Sequence, residues 1–133
     1  MKTEQEQQEI LNELENFTGT EHYYKFSVLF EEVLTDGIQF LCNKLNCFWI
    51  MDIVGSVSHL KAIKENESFI LWKIKLVGKG FIVRAYKDYE SKETEEFNKK
   101  YLLYEQEGEY TDFALKDFEF YESNKVILLK SEY

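Results

Sequence analysis

The apolar residues of this 133-residue chain change their spacing once, and that change limits what it can fold into. In the first segment Ile10, Leu11, Leu14 and Phe17 recur at helical intervals among Gln and Glu, which predicts an amphipathic helix over 4–17 with acids in its first turn. Thr35-Asp36-Gly37 offers a cap for a second helix through Ile38, Phe40, Leu41 and Leu45, which Asn46 would break. Residues 48–60 are apolar on nearly all sides and read as a buried helix. From Leu71 the period becomes two: Leu-Trp-Lys-Ile-Lys-Leu-Val runs to Gly78, and Lys79-Gly80 is the expected turn into Phe81–Tyr86. A third strand is expected over 101–105, closed by Gly108, and a last pair over 117–121 and 126–129 around Ser123-Asn124. The segment 22–34 is open between loop and short helix, and 88–100 between charged loop and helical turn. Helices first and strands later predict an α+β fold, with N-terminal helices on one face of a C-terminal antiparallel sheet of four to five strands. The chain reads as a single domain over 1–133, whose helix 4–17 either packs on it or projects from it.

A domain of this length can bury a core without a metal or a disulfide. Aromatic residues at 17% supply large buried area, and 31% charged beside 44% hydrophobic residues argues against disorder. A net charge of −9 repels both a phosphate backbone and an anionic membrane, and favours basic protein partners. The two cysteines, Cys42 and Cys47, stand beside Leu41, Phe48 and Trp49, which suits reduced thiols packed in an apolar environment. The polar N-terminal segment has no apolar signal core, and no run approaches the roughly 18 apolar residues of a membrane helix. A cytoplasmic location is therefore expected.

Few residues suggest chemistry. Nucleophilic catalysis would need Cys42 or Cys47 with His59 and a supporting carboxylate, and nothing in the spacing singles these out. The order His22, Cys42, Cys47, His59 matches no recurrent zinc spacing. Gly78-Lys79-Gly80 lies between two strands, where it suits a hairpin and not a phosphate cradle. No cofactor or metal is expected. Asp36 and Asp52 stand out because each sits among apolar residues. On a buried helix Asp52 would need a tyrosine hydroxyl or a loop amide as partner, or would serve as an acid/base group in a pocket. The acidic runs are more distinctive. Residues 88–96 hold Asp88, Glu90, Glu93, Glu95 and Glu96, and residues 105–122 hold seven acids against one lysine. Glu105, Glu107, Glu109 and Tyr110 combine carboxylates with an aromatic, which is the composition of a protein-binding face and equally of a half-buried strand.

The stretches FTGTEHYY (17–24), TDGIQFL (35–41), FWIMDIV (48–54), FILWKIKL (69–76) and YTDFALKDFEFYESNKVILLKSEY (110–133) together resemble a family of small bacterial, phage and plasmid proteins that share a domain of unknown function. Its most specific pieces here are Phe-Thr-Gly-Thr, Thr-Asp-Gly, Trp49 with Asp52, and the terminal Ser-Glu-Tyr. The chain departs from the family's usual form at VLFEEVL and in 88–100. The resemblance implies a mobile-element setting, in which small acidic proteins often bind and block a basic host protein. The expected function is accordingly that of a protein-binding inhibitor, such as an anti-CRISPR protein docked on a Cas nuclease, through Asp88, Glu90, Glu93, Glu95, Glu96, Glu105, Glu107, Glu109 and Tyr110. The alternatives are a structural module that self-associates as a homodimer through a strand edge, and a small enzyme using Asp36 or Asp52.

Overall fold

The structure is a computed structural model that describes residues 3–87 and 94–133. Helix α1 (Glu4–Leu14) begins in a capping box: the Thr3 hydroxyl accepts the Glu6 N–H at 3.1 Å and the Glu6 carboxylate accepts the Thr3 N–H at 3.3 Å. Its Ile10 and Leu14 are buried in the core, so this helix packs on the domain. Two short strands follow, β1 (Tyr24–Lys25) and β2 (Val33–Leu34). Helix α2 (Asp36–Leu45) is capped by Thr35 and ends at Asn46, which takes the left-handed conformation with φ 52°. Then come α3 (Phe48–Ser56), α4 (Lys61–Lys64), β3 (Ile70–Val77), β4 (Gly80–Tyr86), α5 (Glu95–Tyr101), β5 (Leu102–Gly108), β6 (Asp117–Ser123) and β7 (Val126–Leu129). A short 3-10 turn, Lys130–Glu132, closes the chain.

All the strands form one sheet in the order β1-β2-β7-β6-β3-β4-β5. The α+β class is as expected, but the sheet has seven strands and is mixed, because β2 runs parallel to β7. The extra strands lie in 22–34. At two residues each, β1 and β2 are too short to show alternation, and they are defined by pairing that begins at Val33↔Val126. Both expected hairpin turns fall one residue away from their expected positions. Gly78-Lys79 joins β3 to β4, and Asn124-Lys125, both with positive φ, joins β6 to β7.

The helices are not confined to one face. Ile70, Trp72, Ile74, Val83, Ala85, Phe118, Phe120, Ile127 and Leu129 point to one side and form the main core with α1 to α4. On the other side Leu71, Tyr86, Tyr121 and Leu128 make a smaller cluster with Phe97 of α5. The rest of that second face is a cross-strand charge ladder. Arg84 Nε donates to Glu105 at 2.7 Å, Lys73 Nζ lies 3.5 Å from Asp117 and 4.0 Å from Glu119, and Lys130 Nζ donates to Glu119 at 2.9 Å.

Candidate functional site

Three separated motifs meet at the N-terminus of α2. The Thr20 hydroxyl accepts the Asp36 N–H at 2.9 Å and donates to the His22 carbonyl at 2.6 Å. Asp36 accepts the Glu21 N–H at 2.8 Å and the Tyr24 hydroxyl at 2.9 Å. From the far end of the chain, Glu132 accepts the Thr35 hydroxyl at 2.6 Å, the Gly37 N–H at 3.1 Å and the Leu129 N–H at 3.0 Å. Residue 37 must be glycine for this approach, since a Cβ there would lie 2.4 Å from Leu129 Cδ1 and 2.7 Å from Glu132 Oε1. The Glu21 N–H, together with the Tyr24 hydroxyl, holds Asp36 below its usual range against the opposing effect of burial. Thus Phe-Thr-Gly-Thr, Thr-Asp-Gly and Ser-Glu-Tyr form a single junction whose hydrogen-bonding groups are matched internally. It ties the chain's end to the loop before β1 and exploits the helix's free N–H groups.

A second constellation lies beyond the far end of β2. Glu32, 1% exposed, forms part of the wall of a cavity of about 430 Å³ together with Leu29, Phe30, His59, Glu67 and Lys125. Neither of its carboxylate oxygens accepts a hydrogen bond. Next to it Glu122, 2% exposed, accepts the Trp72 indole N–H at 2.8 Å. Burial pushes the Glu122 carboxyl up to about 7; the Trp72 hydrogen bond and Lys125 oppose the rise, while Glu32 and Glu67 add to it. Lys125, the near cation, is engaged elsewhere: its ammonium donates to Glu31, and that contact lowers the Glu31 pKa. Among the described residues no group of three or more His, Cys, Asp or Glu is arranged to hold a metal ion.

The residues singled out from sequence are dispersed. Asp36 is half-buried in the α2 junction. Asp52 is exposed, which corrects the expectation of a buried carboxylate: α3 turns Ile50, Met51 and Val54 inward and leaves Asp52 on its outer side. Asp88, Glu90 and Glu93 lie outside the described residues. Glu95 and Glu96 are exposed in the first turn of α5, with Glu95 3.6 Å from Lys99. Glu105 and Glu107 point to the solvent side of edge strand β5, and Glu109 and Tyr110 follow it, Tyr110 being 74% exposed. The outward acids of the final hairpin, Asp117 and Glu119, are drawn into the ladder with Lys73 and Lys130. Cys42 and Cys47 are buried free thiols; their mutual contact and burial raise the Cys42 pKa. Neither Glu32 nor Glu122 is conspicuous in sequence. Glu122 follows the alternating run of a strand, and Glu32 lies in VLFEEVL, which shows no period of its own.

Among the described residues no helix is long and apolar enough to cross a membrane. Residues 8–133 match a family of unknown function (DUF6876). No curated protein and no solved structure matches the chain.

Proposed function

Because the chain belongs to the DUF6876 family, whose function is unknown, we propose its role from its own surface: a small acidic protein that binds and inhibits a basic, nucleic-acid-binding protein. The observation that carries this reading is the edge of the sheet. β5 is an outermost strand, its Glu105 and Glu107 face solvent, Glu109 continues the row, and exposed Tyr110 stands at its end. Glu105 is shared with Arg84, while Glu107 and Glu109 have no cationic partner among the described residues. Such a row complements the Lys and Arg of a groove that otherwise holds phosphates, and the aromatic supplies an anchor. Charged edge strands also serve to prevent sheet-to-sheet pairing, which is the competing explanation for the same residues.

An anti-CRISPR role, with a Cas nuclease as the basic partner, is the form of this proposal that the chain's resemblance to small bacterial, phage and plasmid proteins favours. Titrating the protein into a Cas nuclease cleavage assay tests it. The expected result is inhibition that weakens as salt is raised and is lost in the triple variant Glu105→Lys, Glu107→Lys, Glu109→Lys. Full inhibition by that variant would remove the edge as the binding surface, and cleavage unaffected by excess wild type would remove the anti-CRISPR role.

A further inference from the structure

Three aromatic side chains from separate parts of the chain line one open hollow at the end of the sheet. Trp49 comes from the first turn of α3, Phe81 from the start of β4 and Tyr110 from the loop after β5, and with Thr111 and Asp112 they border a cavity of about 260 Å³. The Trp49 and Phe81 rings meet at 4.9 Å with their planes inclined at 56°, and buried Phe113 braces the indole edge-on at 6.5 Å. The loop is tied down beside Tyr110: the Thr111 N–H donates to the Lys79 carbonyl at 2.8 Å and the Phe113 N–H to the Thr111 hydroxyl at 3.1 Å. A Cβ at Gly108 would overlap the Phe81 ring, so glycine there lets that ring lie against the end of β5. Tyr110, 74% exposed, packs on no other ring among the described residues. Phe81 is the floor, half-buried Trp49 a wall and Tyr110 the lip.

The chemistry of the lining selects the guest. Ring faces attract a cation. Elsewhere the chain supplies its own: Lys87 and Lys100 stand 5.6 and 5.3 Å over Tyr101, and Lys130 stands 5.9 Å over Tyr121. No described lysine stands over Trp49, Phe81 or Tyr110. Exposed Asp112 adds a carboxylate that has no ion pair with any described residue. An anion would meet that carboxylate and the negative ring faces. A primary ammonium brings three donors, whereas the lining offers one carboxylate and a Thr111 hydroxyl that already accepts the Phe113 N–H. A fully methylated ammonium brings the charge without the donors, and its methyl groups pack against the rings. The volume suits a head group and not a drug-sized ligand.

We propose that the hollow between Trp49, Phe81 and Tyr110 binds a trimethylammonium group, held by the ring faces and balanced by the Asp112 carboxylate. The group can come from a free quaternary amine or from a trimethylated lysine on a protein. The inference shares Tyr110 with the β5 reading but does not rest on it, because amine binding is measured on the protein alone with no partner present.

Titration of the full chain with choline and, separately, with N-acetyl-trimethyllysine methylamide, followed by amide NMR shifts and by tryptophan fluorescence, tests it. Saturable shifts centred on residues 49, 81 and 110–112 are expected for at least one probe. Saturation with choline alone assigns the source as a free quaternary amine, and saturation with the trimethyllysine amide alone as a protein. The uncharged isostere of choline, 3,3-dimethylbutan-1-ol, and the unmethylated lysine amide should each bind more weakly than their trimethylammonium counterparts. Tyr110→Ala should weaken binding about fivefold, the loss expected for one cation–π contact, while Tyr110→Phe keeps it. Asp112→Asn should weaken it in the same direction. Tyr110 and Asp112 are both exposed, so an unchanged urea midpoint in these variants separates a lost contact from a lost fold. No saturable shift with either trimethylammonium probe would overturn the assignment. So would equal binding by the uncharged isostere, or by Tyr110→Ala.

Discussion

The α2 junction and the Glu32 cavity are built from the same material, glutamate and aspartate at the ends of short elements, and they treat it oppositely. At the junction, Asp36 and Glu132 together accept five hydrogen bonds from the loop, from α2 and from the chain's end. At the cavity, Glu32 accepts none, and Glu122 accepts one from Trp72 and is pushed toward the neutral form. Matched carboxylates hold architecture, and an unmatched one leaves the cost of its burial uncompensated. The difference separates the acids that make the fold from those left available to do something with it.

The largest expected effect is on the pH dependence of stability. The Glu122 pKa rises on folding from 4.5 to about 7. The folded state then holds an extra proton between those values, so this contribution to stability is fully present below 4.5 and is lost as pH rises through 7. The loss approaches about 3 kcal/mol at most. Glu122→Gln keeps an acceptor for Trp72 and has no proton to lose. Urea unfolding of the two proteins from pH 4.5 to pH 8 should give curves that diverge upward in pH, the variant becoming the more stable. Parallel curves would show that burial, with Glu32 and Glu67 nearby, does not drive Glu122 neutral.

Glu132→Ala tests the matched side of the comparison. It strips the acceptor from the Thr35 hydroxyl and from the Gly37 and Leu129 N–H groups, and should destabilise by about 2 kcal/mol after water replaces part of the loss. Gly37→Ala should produce a loss of the same kind through displacement of Glu132 and Leu129. A shift in the urea midpoint with unchanged slope is the readout. If both variants unfold with the wild type, the junction is a contact without energetic weight.

The sharpest contrast comes from one chemical change made twice. Glu32→Gln replaces a buried carboxylate that has no hydrogen-bond partner and should stabilise by about 1 kcal/mol. Asp36→Asn removes a charge that accepts an amide and a hydroxyl, and should lower the midpoint. Shifts of opposite sign support the division between the two sites, and shifts of the same sign would erase it.

How much of this was legible in the sequence depends on length scale. The change from helical to alternating spacing gives the helices and the long strands, because each extends over enough residues to show a period. The strands β1 and β2 have no period to show; they exist because β7 offers an edge for Val33 and Leu34. The same limit hides the sites. Asp52, among apolar neighbours in sequence, faces outward because a helix turn separates residues adjacent in the chain. Glu32 and Glu122 come together only because β2 and β6 flank the same short strand. Thr-Asp-Gly and Ser-Glu-Tyr stood out as motifs, but their contact spans 95 residues between Gly37 and Glu132 and is a property of the sheet order.

The smallest effect belongs to the surface that joins neither class. Arg84 and Glu105 face each other across β4 and β5 at 2.7 Å, a bond shorter than most at the junction, yet Glu105 is exposed on an edge strand. Solvent screening and the entropy of two long side chains hold such a pair to about 0.5 kcal/mol. Glu105→Gln should therefore leave the urea midpoint almost unchanged at moderate salt. A loss comparable to that of Glu132→Ala would move Glu105 among the acids that hold the fold, and would leave Glu107 and Glu109 as the part of the edge free to meet a partner.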